Sequence, residues 1–401
     1  MRSSQSHRLS MFMGMNLLAA YLPLQVVWVY IGLYLRFSKV MHYQYRGDNI
    51  IFNIPIQESN NIFFVGNATN WKVKEDFKFH REGDSLTLIK PKELALHIGN
   101  SGYCEYFFWD QDLEQALPFD HCHPQGYFFN NQFNGSFNYL LLAENPSQNE
   151  LVQIHQASEA SFMIKQQRED YSSEESLANF RSVLGGALKP KRLYRSYHPI
   201  SPSRSHIAEL KSLEELRQIA VRKLLSQYQI ANIINLSETD HQLKQEIEQQ
   251  GASYYQQLWS QGCVYSVPMS YETVYFMSHL NQAFNDNELG FQDGIKQIIT
   301  IIANEQAPFH VHCRLGSDRT GVVIGFLQLF MGATKSDIES NYLLTNQLGI
   351  GEYRSFKLLE VALTNALGEN CFDDGRQVVY GYLLNLGLEK SMINSAYQKL
   401  S

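Results

Sequence analysis

The chain has 401 residues, with 33 Lys and Arg against 40 Asp and Glu, a formal net charge of −7, and 44% hydrophobic, 13% aromatic and 18% charged residues. That composition supports two or three globular domains and excludes a disordered chain, a collagen-like repeat and a disulfide-dense miniprotein. The acidic balance, with no long Lys/Arg run, argues against nucleic acid as the main partner. Five cysteines, Cys104, Cys122, Cys263, Cys313 and Cys371, form neither an even-numbered disulfide framework nor paired C-x-x-C ligands.

Residues 11–35 carry no charge. At about 1.5 Å per residue this stretch is long enough to cross a hydrocarbon core of roughly 30 Å. Trp28, Tyr30 and Tyr34 near its second end suit an interfacial belt. The reading is a single-pass membrane anchor, side undecided, within an N-terminal segment of residues 1–40. A cleaved signal, and hence a secreted protein, and a buried helix are the alternatives.

From about residue 45 to 145 the pattern becomes short β-branched and aromatic runs, NIIFNIPI, NIFFVG, DSLTLI, YCEYFFW, GYFFN and FNYLLLA, separated by turn chemistry such as REGD and FNGS. Such spacing predicts a small antiparallel β-sandwich over 41–150. The stretch FFVGNATNW followed by YCEYFFWDQD resembles early-set, immunoglobulin-like carbohydrate-binding modules. The resemblance implies carbohydrate as a partner and Trp71 as the residue to stack on a sugar ring. Packing in the sandwich core is the alternative for Trp71 and Trp109. The run Asp120-His121-Cys122-His123 has no partner pair at ligand spacing and reads as a loop, so no metal is expected.

Residues 151–188, rich in Gln, Ser and Glu, read as a linker with a short helical patch. Beyond it, helix and strand alternate. Ser212 with Glu214 and Glu215 predicts a capped helix with apolar positions Leu216, Ile219, Ala220, Leu224 and Leu225. ANIINL reads as a strand, DHQLKQEIEQQ as a helix, SYYQQL as a strand, FQDGIKQIITIIANEQ as a helix and FHVHC as a strand that runs into TGVVIGFLQLFMG. The order specifies an α/β domain over 189–401 with a mainly parallel sheet flanked by helices.

The segment HCRLGSDRTG, residues 312–321, sits between the predicted strand and the predicted helix. A strand–turn–helix aims backbone N–H groups and the positive helix end at one point, which suits an anion with three equatorial oxygens. Cys313 at the floor of that nest is a candidate nucleophile. Arg319 can grip two phosphoryl oxygens through its planar fork. The Thr320 hydroxyl is placed to hydrogen-bond the sulfur.

HCRLGSDRTG resembles the signature loop of the cysteine-dependent protein-tyrosine-phosphatase superfamily, and its D-R-T-G ending resembles the bacterial branch, whose loop reads H-C-x-x-G-K-D-R-T-G. RLYRSYHPIS (192–201) and GATKSDIESNYLLTN (332–346) resemble further stretches of that branch. The resemblance implies phosphate binding by Arg314, Leu315, Gly316, Ser317 and Thr320, no cofactor, and hydrolysis of phosphotyrosine proteins or phosphoinositides through a cysteinyl-phosphate. It also makes Asp318 the first choice of general acid, with Asp240 second and Asp286 or Asp293 third, and with pairing to Arg195 or another cation as its structural alternative. Three positions depart from the branch pattern: Ser317 stands for the loop Lys, Ser237 for an arginine after I-N-L, and Asn341 for an acidic residue. A phosphoglycan phosphatase directed by the β-sandwich, and a module that binds phospho-ligands without turnover, are the competing functional readings.

Overall fold

The computed structural model describes residues 42–119, 127–130, 136–249 and 253–401. Residues 11–35 and Asp120-His121-Cys122-His123 lie outside the described residues. Among the described residues no helix is long and apolar enough to cross a membrane, and this overturns the expectation of a single-pass membrane protein.

Nine strands fill the first part: β1 (Tyr43–Arg46), β2 (Asn49–Pro55), β3 (Ile62–Gly66), β4 (His80–Glu82), β5 (Ser85–Pro91), β6 (Cys104–Asp110), β7 (Gln115–Ala116), β8 (Tyr127–Asn130) and β9 (Ser136–Leu141). They form two antiparallel sheets, ordered β1-β2-β5-β4 and β3-β6-β9-β8, with β7 on β6. Alternation turns Ile50, Phe52 and Ile54 of β2 inward. They meet Phe64, Tyr106 and Tyr139 of the other sheet in one apolar cluster. On β6 the opposite face is covered too, since Glu105 is also buried.

The second part runs α1 (Gln148–Phe162), α2 (Glu174–Leu177), β10 (Arg181–Ser182), β11 (Leu193–Ser196), α3 (Lys211–Gln227), β12 (Asn232–Asn235), α4 (Asp240–Glu248), α5 (Tyr254–Ser260), β13 (Val264–Ser266), α6 (Tyr271–Tyr275), α7 (Phe291–Asn304), β14 (Phe309–His312), α8 (Asp318–Phe330), α9 (Lys335–Leu343), α10 (Phe356–Leu367), α11 (Gly375–Asn385) and α12 (Lys390–Leu400). The sheet order is β10-β11-β14-β12-β13, antiparallel between β10 and β11 and parallel elsewhere. In α7, Phe291, Ile295, Ile298, Ile299 and Ile302 form a buried stripe. By contrast α8 is apolar all round and buried along nearly its whole length, as a central helix must be.

Three local expectations fail. SYYQQL is α5, not a strand: Ser253 caps it by accepting from Gln256 N at 3.2 Å, and Tyr255 and Leu258 bury one face at helical spacing. Ser212 does not cap α3, which begins at Lys211. Glu214 turns inward instead and accepts from the Tyr197 hydroxyl at 2.6 Å, while Leu216 and Ile219 face solvent. The segment read as a linker is ordered against both neighbours. Ile154 of α1 packs with Phe128, Leu140 and Leu142 of the sandwich, and Tyr171, Leu177 and Phe180 join an apolar cluster of the α/β part.

Ile98, from the sandwich side, is buried in the same cluster as Val274, Phe356 and Cys313. Ile98→Ala should therefore cost about 2–4 kcal/mol, read as a lower urea midpoint. A loss under about 0.5 kcal/mol would show that the two parts dock without this side chain.

Candidate active site

β14 is the central strand of the α/β sheet, and Cys313 follows its last residue, 2% exposed, at the carboxyl ends of β11 and β12. The loop that follows turns at Gly316, whose φ of +70° and whose missing Cβ, which would meet the Ser196 carbonyl at 2.0 Å, exclude any other residue. The loop's carbonyls are bound from behind. Arg314 O accepts from His198 N at 3.1 Å, Leu315 O from Asn179 Nδ2 at 3.1 Å, and Gly316 O from Arg195 Nη2 at 2.6 Å. With the carbonyl edges bound from behind, the planar peptides turn their N–H edges the opposite way. The first turn of α8 adds its unshared N–H groups to the same side.

Two guanidiniums stand behind the loop. Arg195 is fully buried; its Nη1 donates to Asn341 Oδ1 at 2.9 Å. Arg181, its register partner across β10 and β11, donates to Asn341 O at 2.8 Å. Burial pulls Arg195 down to about 10, against the attraction of Cys313, Tyr342, Tyr275 and Asp318. Burial, then repulsion from Arg195, pulls Arg181 down as well. Asn341, standing where the bacterial pattern has an acid, thus serves both arginines as a neutral acceptor.

Asp318 opens α8. Its carboxylate accepts from Arg354 Nε at 2.5 Å and Nη2 at 3.2 Å, from the Tyr275 hydroxyl at 3.3 Å and from the Ser317 hydroxyl at 3.0 Å. Burial pushes this carboxyl up, but Arg354, Ser317 and Arg319 outweigh it and hold it below the usual aspartate value. The cation that pairs with Asp318 is therefore Arg354 and not Arg195. No sequence motif marks Arg354, which lies 36 residues further along the chain.

Residues 174–364 match the tyrosine phosphatase family. This segment belongs to that family. The phosphatase domain is a cysteine-type phosphatase, and its match begins inside the stretch read as a linker. Among solved structures, the core catalytic domain of the PP-IP phosphatase Siw14 from S. cerevisiae, in complex with citrate, is similar at 16% identity and a TM-score of 0.27, covering 51% of this chain and 98% of that one. A second structure of the Siw14 catalytic core matches at 15% identity and a TM-score of 0.27, over 51% of this chain and 97% of that one. No curated protein matches the chain.

Cys313 lies in a cleft of about 880 Å³ whose walls come from the phosphatase domain and from the sandwich. Trp71, Asn100 and Glu105 line one side, and Tyr271, Phe276 and Phe284 another. Trp71 is half-buried outside the sandwich core and stacks on Phe107 with ring centroids 6.0 Å apart. Of the four arginines that line the cleft, Arg204 pairs with Glu352, Arg354 with Asp318 and Glu352, and Arg314 with Glu238 at 2.9 Å and Glu246 at 3.4 Å. Arg319 instead donates to the carbonyls of Leu236 and Met269, at 3.2 and 3.3 Å.

Several expected placements change. Thr320 Oγ1 is buried without a hydrogen-bond partner, so it does not bond the Cys313 sulfur. Asp240 is exposed in the first turn of α4 and is not among the cleft residues. Arg314 is already matched by two carboxylates. His312 is buried and held neutral, burial and the nearby His198 both pulling its pKa far down. Glu238, which no motif flagged, accepts from His198 Nε2 at 2.9 Å. Burial raises its carboxyl, but His198 and Arg314 bring it down to about 2. With Glu246 these groups place ligating atoms within 4.8 Å of one another, yet Arg314 already bridges the two carboxylates, so the cluster is matched in charge.

A carboxylate at 341 would give both buried guanidiniums a counter-ion and cancel part of the positive field behind the loop. Asn341→Asp should raise the thermal midpoint and weaken inhibition by vanadate on the order of tenfold. Unchanged vanadate inhibition would show that the two arginines act on the loop's shape alone.

Proposed function

We propose that the chain hydrolyses phosphate monoesters bearing a single phosphate, through a cysteinyl-phosphate on Cys313, with a phosphotyrosine protein as the favoured carrier. A β-sandwich domain over 41–150 joined to the phosphatase domain over 189–401 is part of the same reading. One observation carries it: Cys313, almost wholly buried, lines a cleft in which three of four arginines are matched by carboxylates, leaving Arg319 for the incoming anion. A second phosphate, as on a phosphoinositide, would have to displace an ion pair. Tyr271, Phe276 and Phe284 suit an aromatic ester instead.

In the first step Cys313 Sγ attacks phosphorus and the P–O bond to the carrier breaks. Arg319 and the N–H edges of residues 314–318 hold the three equatorial oxygens. The leaving oxygen takes a proton, water then attacks phosphorus, the P–S bond breaks, and inorganic phosphate departs with the thiolate restored. Asp318 serves as the proton carrier. Held ionised at neutral pH by Arg354, it can accept the proton of the attacking water, and it donates to the leaving group in its protonated fraction.

Cys313→Ser in the full chain should lower p-nitrophenyl phosphate turnover by ~10³-fold or more while phosphate binding persists. Equal rates would leave a module that binds without turnover. Because the folded-state pKa of Asp318 is lowered, its donor fraction grows only as pH falls. The ratio of alkyl to aryl phosphate turnover should therefore rise between about pH 7 and about pH 5, and Asp318→Asn should abolish that rise and cost alkyl esters about 10²–10⁴-fold. A flat ratio in the wild type removes Asp318 as donor.

A phosphoglycan is the second reading, favoured by Trp71 and Asn70 lining the same cleft as Cys313. It requires retention of the full chain on amylose or glycogen, lost in Trp71→Ala; passage of both proteins without retention rejects it.

A further inference from the structure

The sandwich and the phosphatase domain meet through directional bonds at one residue. Asn100 O accepts from Ser355 N at 2.8 Å, and Asn100 Oδ1 accepts from the Tyr271 hydroxyl at 3.1 Å. Ser355 follows Arg354, whose guanidinium holds both oxygens of Asp318. Tyr271 packs edge-on against Tyr275, ring centroids 4.8 Å apart, and the Tyr275 hydroxyl reaches Asp318 and also bonds the Tyr342 hydroxyl at 2.6 Å. Two separate paths therefore run from one sandwich residue to the same carboxylate.

The seam around Asn100 is built to stay closed. Gly102, at φ +84°, has no room for a Cβ, which would lie 2.5 Å from Ser355 Oγ. The Lys357 ammonium sits 4.3 Å over the Tyr103 ring, and Phe128 meets Tyr353 with centroids 5.9 Å apart. Glu105, buried on the outer face of β6, accepts from Ser101 and Asn138 and attracts Arg354 across the seam.

We infer that the β-sandwich is a working part of the phosphatase site, with Asn100 as the positioning residue that steadies the Arg354–Asp318 pair from outside the phosphatase domain. This deepens the reading in which Cys313 and Asp318 carry the chemistry. Asp318 is faced by Arg354, Arg319 and Arg195 and by the hydroxyls of Tyr275 and Ser317, with Tyr342 and Tyr271 behind them. Arg354 is shared with Glu352, and Glu105 faces it from the sandwich. Loosening Asn100 lets Arg354 drift toward those glutamates, and the Asp318 carboxyl then moves up toward its ordinary value.

The test is a carbon-13 titration of aspartate carboxyls in the full chain, with Asp318→Asn assigning the resonance. In Asn100→Ala and in Tyr271→Phe, each of which removes the same hydrogen bond, Asp318 should titrate at least about half a pH unit higher than in the wild type. The double variant should show no more than the larger single shift, because one bond is lost in all three. Superimposable titrations, or additive shifts, overturn the inference. A wild type that titrates as expected but does not hydrolyse p-nitrophenyl phosphate would instead overturn the catalytic reading and leave the positioning result standing.

Discussion

The arrangement of the site rests on a buried guanidinium behind a turn. Arg195 donates to Gly316 O at 2.6 Å, at the one loop residue with a left-handed backbone. Burying that charge costs several kcal/mol unless it is well bonded. Its Nε has no partner, which adds to the cost. What the arrangement achieves is geometric: the Gly316 carbonyl is fixed outward, so the loop cannot invert its peptides. An inverted loop would present oxygens to an anion. The same guanidinium holds Asn341 of α9, so α9 and the loop are positioned together.

Charge explains how the site tolerates its departures from the bacterial loop pattern. Ser317 in place of Lys removes a cation from the loop, and its hydroxyl bonds Asp318. Asn341 in place of an acid removes an anion from the back, so the fields of Arg195 and Arg181 are not quenched there. The two changes have opposite sign. They leave the positive charge on the guanidiniums behind the loop, where field lines cross low-dielectric protein and are screened less. On the proposed reading the site holds one phosphate by its floor and has little to offer a second, because Arg204, Arg314 and the buried Arg354 are matched by their own carboxylates.

What was legible in the sequence is local. Strand patterns from NIIFNIPI to FHVHC appear as strands because alternation and turn chemistry act over a few residues. The Cys313–Arg319 motif is legible because a strand, a tight turn and a helix mark it locally, although Arg195, Asn179 and His198 hold the loop's carbonyls from far along the chain. Failures occur where tertiary partners outbid local signals. SYYQQL has β-forming tyrosines, yet Ser253 caps a helix and Tyr255 buries against the α/β core. Ser212 and Glu215 form a capping pattern, yet the helix already begins at Lys211, and the neighbouring Glu214 turns inward to Tyr197 and the backbone of Ser203 and Arg204. Arg354, Glu238 and Asn100 carry no motif because each matters through a partner distant in sequence.

The seam between the domains is where stability and chemistry share bonds. Glu105 on the outer face of β6 is buried, and Ile98 from the sandwich side enters the phosphatase core. A docking surface of this kind resists local opening because its apolar contacts and its hydrogen bonds break together. Placing Ser355, and with it Arg354, under that constraint ties the ionisation of Asp318 to whether the sandwich is seated. On the proposed reading, a phosphatase domain that lost its sandwich would keep Cys313, Arg319 and the rear guanidiniums. It would then bind phosphate with much the same floor and transfer protons with a differently poised carboxyl. Binding and proton transfer are therefore separable in this fold, the first held by the sheet and the second by the seam.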